Sequence, residues 1–306
     1  MGTTKRIRLI VNPSARSGRG QRALNRTDLN HLCATGVHVE WAESRCAEHL
    51  QLLVQTAQSE NLDAIGLAGG DGTVMLALSA LTGPNQVPLG ILPIGSGNDF
   101  ARDVGVPGSV PDAFRTLLQG TPRWVDVACA TPQGGRYCCV ASIGLDERAL
   151  QLIHHSRLPR SKLLNIYAAL RALLTYDPQP VRITWEGGQF EGKVMFAAVT
   201  NTRSYGGGFK VSPEARVDDG ELNLCIVGNT PKARLLCQFP RILKGTHGVM
   251  PEVILASSPW VQLESLAGAL PVSLDGELPQ TTTPLELRCE PRAVQILIPP
   301  TLNRTT

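Results

Sequence analysis

The sequence lacks the features that would place it among membrane-spanning, secreted or disulfide-rich proteins. No apolar run approaches the ~18 residues that cross a bilayer, and the N-terminus has no secretory pattern. None of the eight cysteines has Cys-x-x-Cys spacing, and only Cys138 and Cys139 are neighbours. Scattered thiols are typical of reduced core residues, so the spacing does not favour a disulfide or zinc site. We therefore expect a cytoplasmic protein.

Acidic residues are missing from two basic stretches, residues 1–27 and 148–176, although the formal net charge of the chain is only +3. Such stretches attract phosphates, anionic lipid headgroups or nucleic acid, and a solvated basic surface explains either one equally well. No zinc-finger, RRM or helix-turn-helix pattern accompanies them. We therefore expect no nucleic-acid partner, while peripheral contact with an anionic membrane, at its inner face, stays open.

Apolar and amphipathic segments alternate from Arg6 to Val104, which predicts an α/β domain whose parallel sheet is covered on both faces. The predicted strands are Arg6–Val11, Val37–Trp41, Ala64–Ala68 and Leu89–Leu92, and the predicted helices are Gln21–Cys33, Cys46–Ser59, Val74–Leu81 and Asp99–Val104. We interpret the next segment, with Pro107 and Pro111 followed by Asp112–Gln119, as a connection out of this domain.

Strand signals dominate after Trp124, and short strands between turn residues predict an antiparallel β-sandwich. The predicted strands are Val125–Ala130, Tyr137–Ile143, Val181–Trp185, Lys193–Thr200, Leu222–Val227, Val253–Ala256, Val261–Leu263, Val272–Leu274, Leu285–Cys289 and Val294–Ile298. One helix interrupts them, because apolar residues recur at helical spacing from Leu163 to Leu174 beside basic residues. For this helix we favour core packing over membrane docking. The 306 residues are expected to form domains 1–124 and 125–306, with a return of the last residues to the first domain left open.

Two glycine-rich loops that contain aspartate follow two of the predicted strands. Gly69-Gly70-Asp71-Gly72-Thr73 comes directly after Ala64–Ala68, and Gly95-Ser96-Gly97-Asn98-Asp99-Phe100 comes shortly after Leu89–Leu92. Glycine lets the backbone present several N–H groups to one anion at the start of a helix. An aspartate reaches phosphate through a metal ion and water. Together the loops predict a nucleotide phosphate site with Mg²⁺, whereas either loop alone is also a common turn.

The usual phosphate-binding motifs are absent or misplaced. The sequence has no G-x-x-x-x-G-K-[ST] pattern, so the chain is not a P-loop enzyme. Residues 18–23 fit G-x-G-x-x-A, with Glu40 about twenty residues later, as in a dinucleotide-binding fold. However, this motif begins well after the first strand ends at Val11, which indicates a different use.

Several segments, taken in order, resemble one family. They are Asn12-Pro13-Ser14 with Gly18 and Gly20, Gly69-Gly70-Asp71-Gly72-Thr73, Leu92-Pro93-Ile94-Gly95-Ser96-Gly97-Asn98-Asp99-Phe100-Ala101-Arg102, Val125-Asp126-Val127, Ser142-Ile143-Gly144, Tyr205-Gly206-Gly207-Gly208-Phe209, Pro213, Asp218-Asp219-Gly220 and Asp275-Gly276-Glu277. In order and spacing, the chain from Arg6 to Pro299 resembles the diacylglycerol kinase catalytic-domain family, in its bacterial soluble lipid kinase branch.

The resemblance implies a two-domain enzyme related to NAD kinases, of class α/β plus all-β. A Rossmann-like N-terminal domain would bind ATP, a C-terminal antiparallel β-sandwich would follow, and the active site would lie in the cleft between them. The implied reaction transfers the γ-phosphoryl group of ATP to the hydroxyl of a lipid such as diacylglycerol, giving phosphatidic acid. A kinase of another lipid or a soluble alcohol (phosphatidylglycerol, a sphingoid base or NAD) and a non-catalytic lipid-binding relative stay open, as does a homodimer.

The resemblance also implies roles at matching positions. Asp71, Asp99 and Asp126 match acids that hold catalytic Mg²⁺ through water, and Glu277 matches the general base. The implied nucleotide-binding residues are Asn12, Pro13, Ser14, Ala15, Arg16, Trp41, Gly69, Gly70, Asp71, Gly72, Thr73, Val74, Met75 and Ser96. Asp219, with the backbone carbonyls of Arg216 and Glu221, matches a structural magnesium site.

Two positions depart from the family pattern, and three carry a second interpretation. Met75 stands where the family usually has asparagine, and Trp41 stands where it has a nucleotide-contacting threonine. Asp219-Gly220 and Asp275-Gly276 are dipeptides that also suit tight hairpin turns. Asp126 lies between apolar residues, as a hydrogen-bonded buried acid would.

Overall fold

The computed structural model describes residues 4–15, 18, 20, 22, 24, 36–81, 87–132, 135–156, 158, 161–277 and 281–300. These residues divide into two compact units. The described residues up to Val125 and those from Arg292 on form the first unit, and Asp126–Pro291 form the second. The first unit holds a parallel sheet and the second holds antiparallel strands, which confirms the predicted fold class.

The sheet of the first unit has the strand order β15-β4-β3-β1-β2. Its strands are β1 (Lys5–Val11), β2 (Val37–Glu43), β3 (Ala64–Gly69), β4 (Leu89–Pro93) and the end of β15 (Leu285–Ile298), and its helices are α1 (Ala47–Gln58), α2 (Asp71–Ala80), α3 (Asp99–Asp103) and α4 (Val110–Gln119). Every residue of β3 and β4 is buried. Buried, apolar parallel strands of this kind are covered by helices on both faces.

Helix α4 lies in the core of the first unit, so its interpretation as a connection was wrong. Ser109 caps the helix by accepting the N–H of Asp112 at 3.3 Å, and proline is tolerated in this first turn. Leu117 of α4 is fully buried. A Cβ on Gly66 or Gly90 would lie 2.7 or 2.6 Å from the Leu117 side chain. The two strand glycines therefore make room for the helix.

The second unit is built around β9, which pairs antiparallel with β7, β8 and β10. Its elements are β5 (Thr121–Thr131, which begins in the first unit), β6 (Gly135–Tyr137), β7 (Val140–Gly144), α5 (Leu145–His154), α6 (Lys162–Thr175), β8 (Gln179–Trp185), β9 (Gly188–Thr200), β10 (Leu222–Gly228), α7 (Lys232–Lys244), β11 (Val253–Ser258), β12 (Trp260–Ser265), β13 (Pro271–Leu274), β14 (Thr281–Thr282) and the start of β15. Alternate residues such as Val181, Ile183, Val261 and Leu263 are buried in one apolar core. This alternation is the pattern expected of strands with one buried face.

The prediction that one helix interrupts these strands was wrong, because α5 and α7 form as well. Helix α5 follows β7 directly, with Asp146 and Glu147 in its first turn, where the helix dipole favours negative charge. Helix α7 contains Pro240 in its interior, and proline in a sequence normally indicates a helix end. The predicted helix Gln21–Cys33 falls mostly outside the described residues.

Helix α6 packs through only part of the apolar set that was predicted, since Leu173 is buried as expected. Its buried residues are Leu164, Ala168, Ala172 and Leu173. Leu163, Tyr167 and Leu174, which were assigned to core packing, are instead 79%, 56% and 61% exposed. No described helix is both long and apolar enough to span a bilayer.

Two strand predictions in the second unit also need correction. The predicted strand Tyr137–Ile143 is broken at Cys138 and Cys139 into β6 and β7. The segments Leu285–Cys289 and Val294–Ile298 belong to the single strand β15. Arg292 has a φ of 51° within β15, a left-handed value that a strand pattern does not predict.

Candidate active site

The two glycine loops of the first unit lie against each other. Strands β3 and β4 are parallel neighbours, with Gly69 beside Pro93, so both loops leave the same edge of the sheet. A Cβ on Gly70 would lie 3.0 Å from the Cα of Gly95, and a Cβ on Gly95 would lie 2.4 Å from the Cα of Gly70. Any larger residue at position 95 would force the backbone of one of the two loops to move.

Asp71 ties the two loops together. It is the first residue of α2, and its Oδ1 accepts the backbone N–H of Phe100 in α3 at 3.0 Å. The carboxylate is therefore held at the start of two helices, where the backbone dipoles favour negative charge. The two loops that were predicted to bind phosphate therefore meet at Gly70, Asp71 and Gly95.

Asn12 joins the end of β1 to the same loops. Its Nδ2 donates to Thr73 Oγ1 at 2.9 Å, and its Oδ1 accepts the N–H of Ser14 at 3.0 Å. Its backbone N–H donates to the Ala68 carbonyl at 2.9 Å. A Cβ on Gly69 would lie 2.2 Å from Thr73 Oγ1, so Thr73 fills the space that Gly69 leaves. The structure thus brings Asn12, Gly69 and Thr73 together.

The other predicted nucleotide residues are distributed around these loops. Pro13, Ser14 and Ala15 form the turn after β1, Gly72, Val74 and Met75 lie in α2, and Ser96 is exposed in the second loop. Trp41 lies on β2, opposite Leu9, and is 45% exposed. Arg16 lies outside the described residues.

Asp99 is buried and already paired. It starts α3, is 1% exposed, and accepts from Arg102 Nη1 at 2.5 Å. The guanidinium of Arg102 also donates to the Gly97 carbonyl at 2.8 Å. Arg102 therefore offsets the charge of Asp99. This pairing, together with the bond from Arg102 to Gly97, is typical of residues that stabilise a loop.

Asn98 fixes the second glycine loop, a role that the sequence interpretation did not assign to it. Its φ of 53° is left-handed, and its side chain bonds the Gly95 N–H, the Gly95 carbonyl and the Pro93 carbonyl at 3.0, 3.0 and 3.1 Å. These bonds fix the loop at Gly95. Asparagine next to glycine is a signal for a left-handed turn, and it was available in the sequence.

Asp126 organises a turn in the second unit. Its Oδ2 accepts the N–H of Gly220 at 2.7 Å, and its own N–H donates to the Val217 carbonyl at 2.7 Å. The buried Asn201 donates its Nδ2 to the Asp126 carbonyl at 3.0 Å. The structure therefore brings Asp126 together with the Asp218-Asp219-Gly220 turn.

Negative charge gathers at this turn. Partial burial of its carboxyl group raises the pKa of Asp219, and the charges of Glu221 and Asp126 raise it further, although backbone N–H bonds oppose them. Asp219 Oδ1 accepts the N–H of Glu221 at 3.2 Å. Arg216 is exposed, with its Nε 3.5 Å from Asp218 Oδ1. A divalent cation would relieve the repulsion among these acids.

Glu277 is held by its backbone at the end of a turn. Its N–H donates to the Leu274 carbonyl, and its carbonyl accepts from Ser273 Oγ, both at 3.0 Å. Asp275 begins the turn with a left-handed φ of 50°. Its carboxylate accepts the N–H groups of Cys138, Cys139 and Val140 at 2.7, 2.7 and 2.9 Å, while burial raises its pKa.

Asp146 is another acid of the second unit that the sequence interpretation missed. It lies in the first turn of α5, and Ser142 Oγ donates to its Oδ2 at 2.5 Å. Burial raises the pKa of Asp146, while hydrogen bonds from Ser142 and Tyr205 lower it. Asp146 comes two residues after Ser142-Ile143-Gly144, a segment that matches the family pattern, and this position could have identified it from the sequence.

Comparison with known proteins covers both units. The family descriptions "Diacylglycerol kinase catalytic domain" and "YegS C-terminal NAD kinase beta sandwich-like domain" match residues 6–130 and 139–298. A diacylglycerol kinase of Mycobacterium tuberculosis is 30% identical, over 96% of this chain and 95% of that protein. The "Probable lipid kinase YegS-like" of Chromohalobacter salexigens is 32% identical, over 74% and 73%. A solved diacylglycerol kinase structure from Bacillus anthracis matches with a TM-score of 0.71 at 21% identity, over 98% of each chain.

Proposed function

The chain belongs to the diacylglycerol kinase catalytic-domain family and is an ATP-dependent lipid kinase, and from this premise we propose that diacylglycerol is its acceptor. In the proposed reaction, the γ-phosphoryl group of ATP passes to the free hydroxyl of diacylglycerol, giving phosphatidic acid and ADP. The contact of the two glycine loops, with Asp71 held between them, supports the ATP half of the reaction, and relatives named diacylglycerol kinase support the acceptor. Phosphoryl transfer depends on positioning and on neutralising phosphate charge, and a glycine-lined helix start supports both.

Asp71 is the residue best suited to hold catalytic Mg²⁺ through water. Its carboxylate lies at the glycine loops, and carboxylate oxygens are ligands that Mg²⁺ prefers. Asp99 suits this role less well, because Arg102 already offsets its charge. Asp126 keeps its proposed catalytic role from the family match alone. When bound, Mg²⁺ neutralises charge on the β- and γ-phosphates.

Asp219 is proposed to hold a second, structural Mg²⁺, with the backbone carbonyls of Arg216 and Glu221. The gathered charge of Asp126, Asp219 and Glu221 supports this assignment. The hydrogen bond from Gly220 to Asp126 links the turn to β5, so an ion there would also stabilise the position of Asp126.

Glu277 is proposed as the general base that accepts the proton of the lipid hydroxyl. A base must be positioned within hydrogen-bond reach of that proton, and the backbone bonds of Glu277 to Leu274 and Ser273 favour a fixed position. Asp275 adds three hydrogen bonds to the neighbouring segment.

The exposed face of α6 is proposed to dock on an anionic bilayer, where the lipid acceptor resides. Leu163, Tyr167 and Leu174 follow one another along this face and are more than half exposed. Lys162 and Arg171 are exposed beside them, in a stretch without acids. Apolar side chains that enter the interface, flanked by basic residues that attract its headgroups, are typical of a membrane-surface helix.

Incubation with labelled ATP, Mg²⁺ and a total lipid extract tests the acceptor. We expect label in phosphatidic acid. The label should fall in purified Glu277→Gln, whereas the control Glu264→Gln, at a half-exposed residue of β12, should label phosphatidic acid as the parent does. Label in another lipid would replace diacylglycerol as the acceptor, and label in NADP after addition of NAD would identify a soluble acceptor. No labelled product in any fraction would favour the non-catalytic relative.

A further inference from the structure

Cys138 and Cys139 place two buried sulfur atoms side by side in the second unit. The residues are 0% and 2% exposed, and their Sγ atoms are 3.7 Å apart. Successive side chains of a regular strand point to opposite faces. The two sulfurs meet because the chain leaves the extended path here, between β6 and β7.

Asp275 supplies a third donor group to the same place. Its carboxylate accepts the backbone N–H groups of both cysteines, and one oxygen of it lies with the two sulfurs inside a group whose members are all within 4.8 Å of one another. Cys138 also bonds the Asp275 carboxylate through its thiol. The three side chains converge although residue 275 is far from residues 138 and 139 in the sequence.

We propose that Cys138, Cys139 and Asp275 form a binding site for a soft divalent cation of the Zn²⁺ type. Two thiolates bound tetrahedrally at ~2.3 Å place their sulfurs ~3.8 Å apart, close to the separation in the structure. The ion would displace two thiol protons to solvent. The two thiolates and the carboxylate then carry one negative charge more than the ion, and the three backbone N–H groups that bond Asp275 stabilise this charge. Thiolate ligands select Zn²⁺-like ions over Mg²⁺, so this site is chemically distinct from the proposed magnesium sites.

The site has a direct structural consequence for the turn that carries Glu277. Asp275 begins that turn, and its N–H donates to the Val140 carbonyl at 2.8 Å. An ion shared by Asp275 and the two cysteines would crosslink the turn to the β6–β7 segment. The inference goes beyond the proposed kinase reaction and does not depend on it.

Cadmium titration of the reduced full-length chain tests the site, because Cd²⁺ bound to thiolate has an ultraviolet charge-transfer absorption. The parent should gain this absorption up to one equivalent of Cd²⁺, and its melting temperature should rise, since an ion that binds only the folded chain stabilises it. Cys138→Ser and Cys139→Ser should each lose about half of the absorption or more, whereas Cys225→Ser, at another buried cysteine, should keep it.

Equal absorption in the parent and in Cys139→Ser would overturn the site, as would a folded parent without any cadmium-dependent absorption. If the serine variants fail to fold, Asp275→Asn provides the second test, because it retains both thiols. It also retains an oxygen that can accept the N–H groups of Cys139 and Val140, losing only the bond from Cys138. This variant should bind Cd²⁺ more weakly than the parent in the same titration. Unchanged affinity in Asp275→Asn would exclude Asp275 from the site, and the proposal of a three-ligand site would fail.

Discussion

Gly95 lies so close to Gly70 that a Cβ on Gly95 would stand 2.4 Å from the Gly70 Cα. The atom in the way is the backbone Cα of Gly70, which cannot rotate aside as the end of a flexible side chain could. Gly95→Ala should therefore separate the two loops and weaken ATP binding by ~1–3 kcal/mol, a typical penalty for overpacking. Isothermal titration with ATP and Mg²⁺ measures the change.

Gly108→Ala is the matched control for this prediction, because nothing lies within 4 Å of a Cβ at Gly108. It should bind ATP as the parent does. An unchanged ATP affinity in Gly95→Ala would show that contact between the loops is not needed for nucleotide binding.

Glu277→Gln should retain the fold and ATP affinity but lower kcat by ~10²–10⁴, as expected for the loss of a positioned base. Its backbone bonds to Leu274 and Ser273 do not involve the carboxylate, so the turn should persist. Steady-state kinetics with diacylglycerol in mixed micelles would measure kcat and KM separately. Near-normal turnover would remove Glu277 from the reaction and leave Asp71 as the next candidate.

Asp219→Asn should lower the melting temperature relative to the parent only when Mg²⁺ is present. The raised pKa of Asp219 means that its charged form destabilises the fold as pH rises through its titration range, so neutral asparagine should not lower the melting temperature in chelator. In Mg²⁺ the parent should gain stability and the variant should gain less. Equal magnesium-dependent shifts in both proteins would favour the plain-turn interpretation.

The double variant Leu163→Ser/Tyr167→Ser should bind anionic vesicles more weakly than the parent, because it removes two exposed apolar side chains of α6. Binding by the parent should also fall with added salt, since Lys and Arg contribute on the order of 1 kcal/mol each at an anionic surface. Vesicle sedimentation measures both effects.

The control for membrane binding is Leu52→Ser, at an exposed leucine of α1 in the first unit. It should leave vesicle binding unchanged. Equal binding of the parent to neutral and anionic vesicles, or to neither, would contradict docking through α6.

Because of His247, the stability of the folded protein should fall in mild acid. It is 1% exposed, and burial lowers its pKa below the ordinary value of 6.5, although its bond to the Val211 carbonyl opposes the shift. The unfolded chain takes up a proton there before the folded chain does, so stability should fall as pH drops below ~6.5. Thermal melts from about pH 7.5 to 5.5 should show a smaller decrease in His247→Gln than in the parent or in the control His38→Gln.

The alternating pattern of the first unit was predictable because local periodicity reflects burial. Strands β3 and β4 are apolar throughout, and the structure places them within a residue of their predicted bounds. Helix α7 was missed because Pro240 suggests a helix end, whereas tertiary packing tolerates it in the helix interior. The break at Cys138 and Cys139 was missed because its cause, Asp275, lies far along the chain.

Ordered motifs with fixed spacing were enough to predict the fold class, the family and the identity of the proposed site residues. The roles of Asp71, Asp126, Asp219 and Glu277 stay predictions. The contacts between these groups became visible only in the folded chain: Asp71 with Phe100, Asp126 with Gly220, Asp99 with Arg102, and Asp275 with two cysteines. Hydrogen bonds and ion pairs depend on distances of about 3 Å in space, and sequence separation does not report such distances.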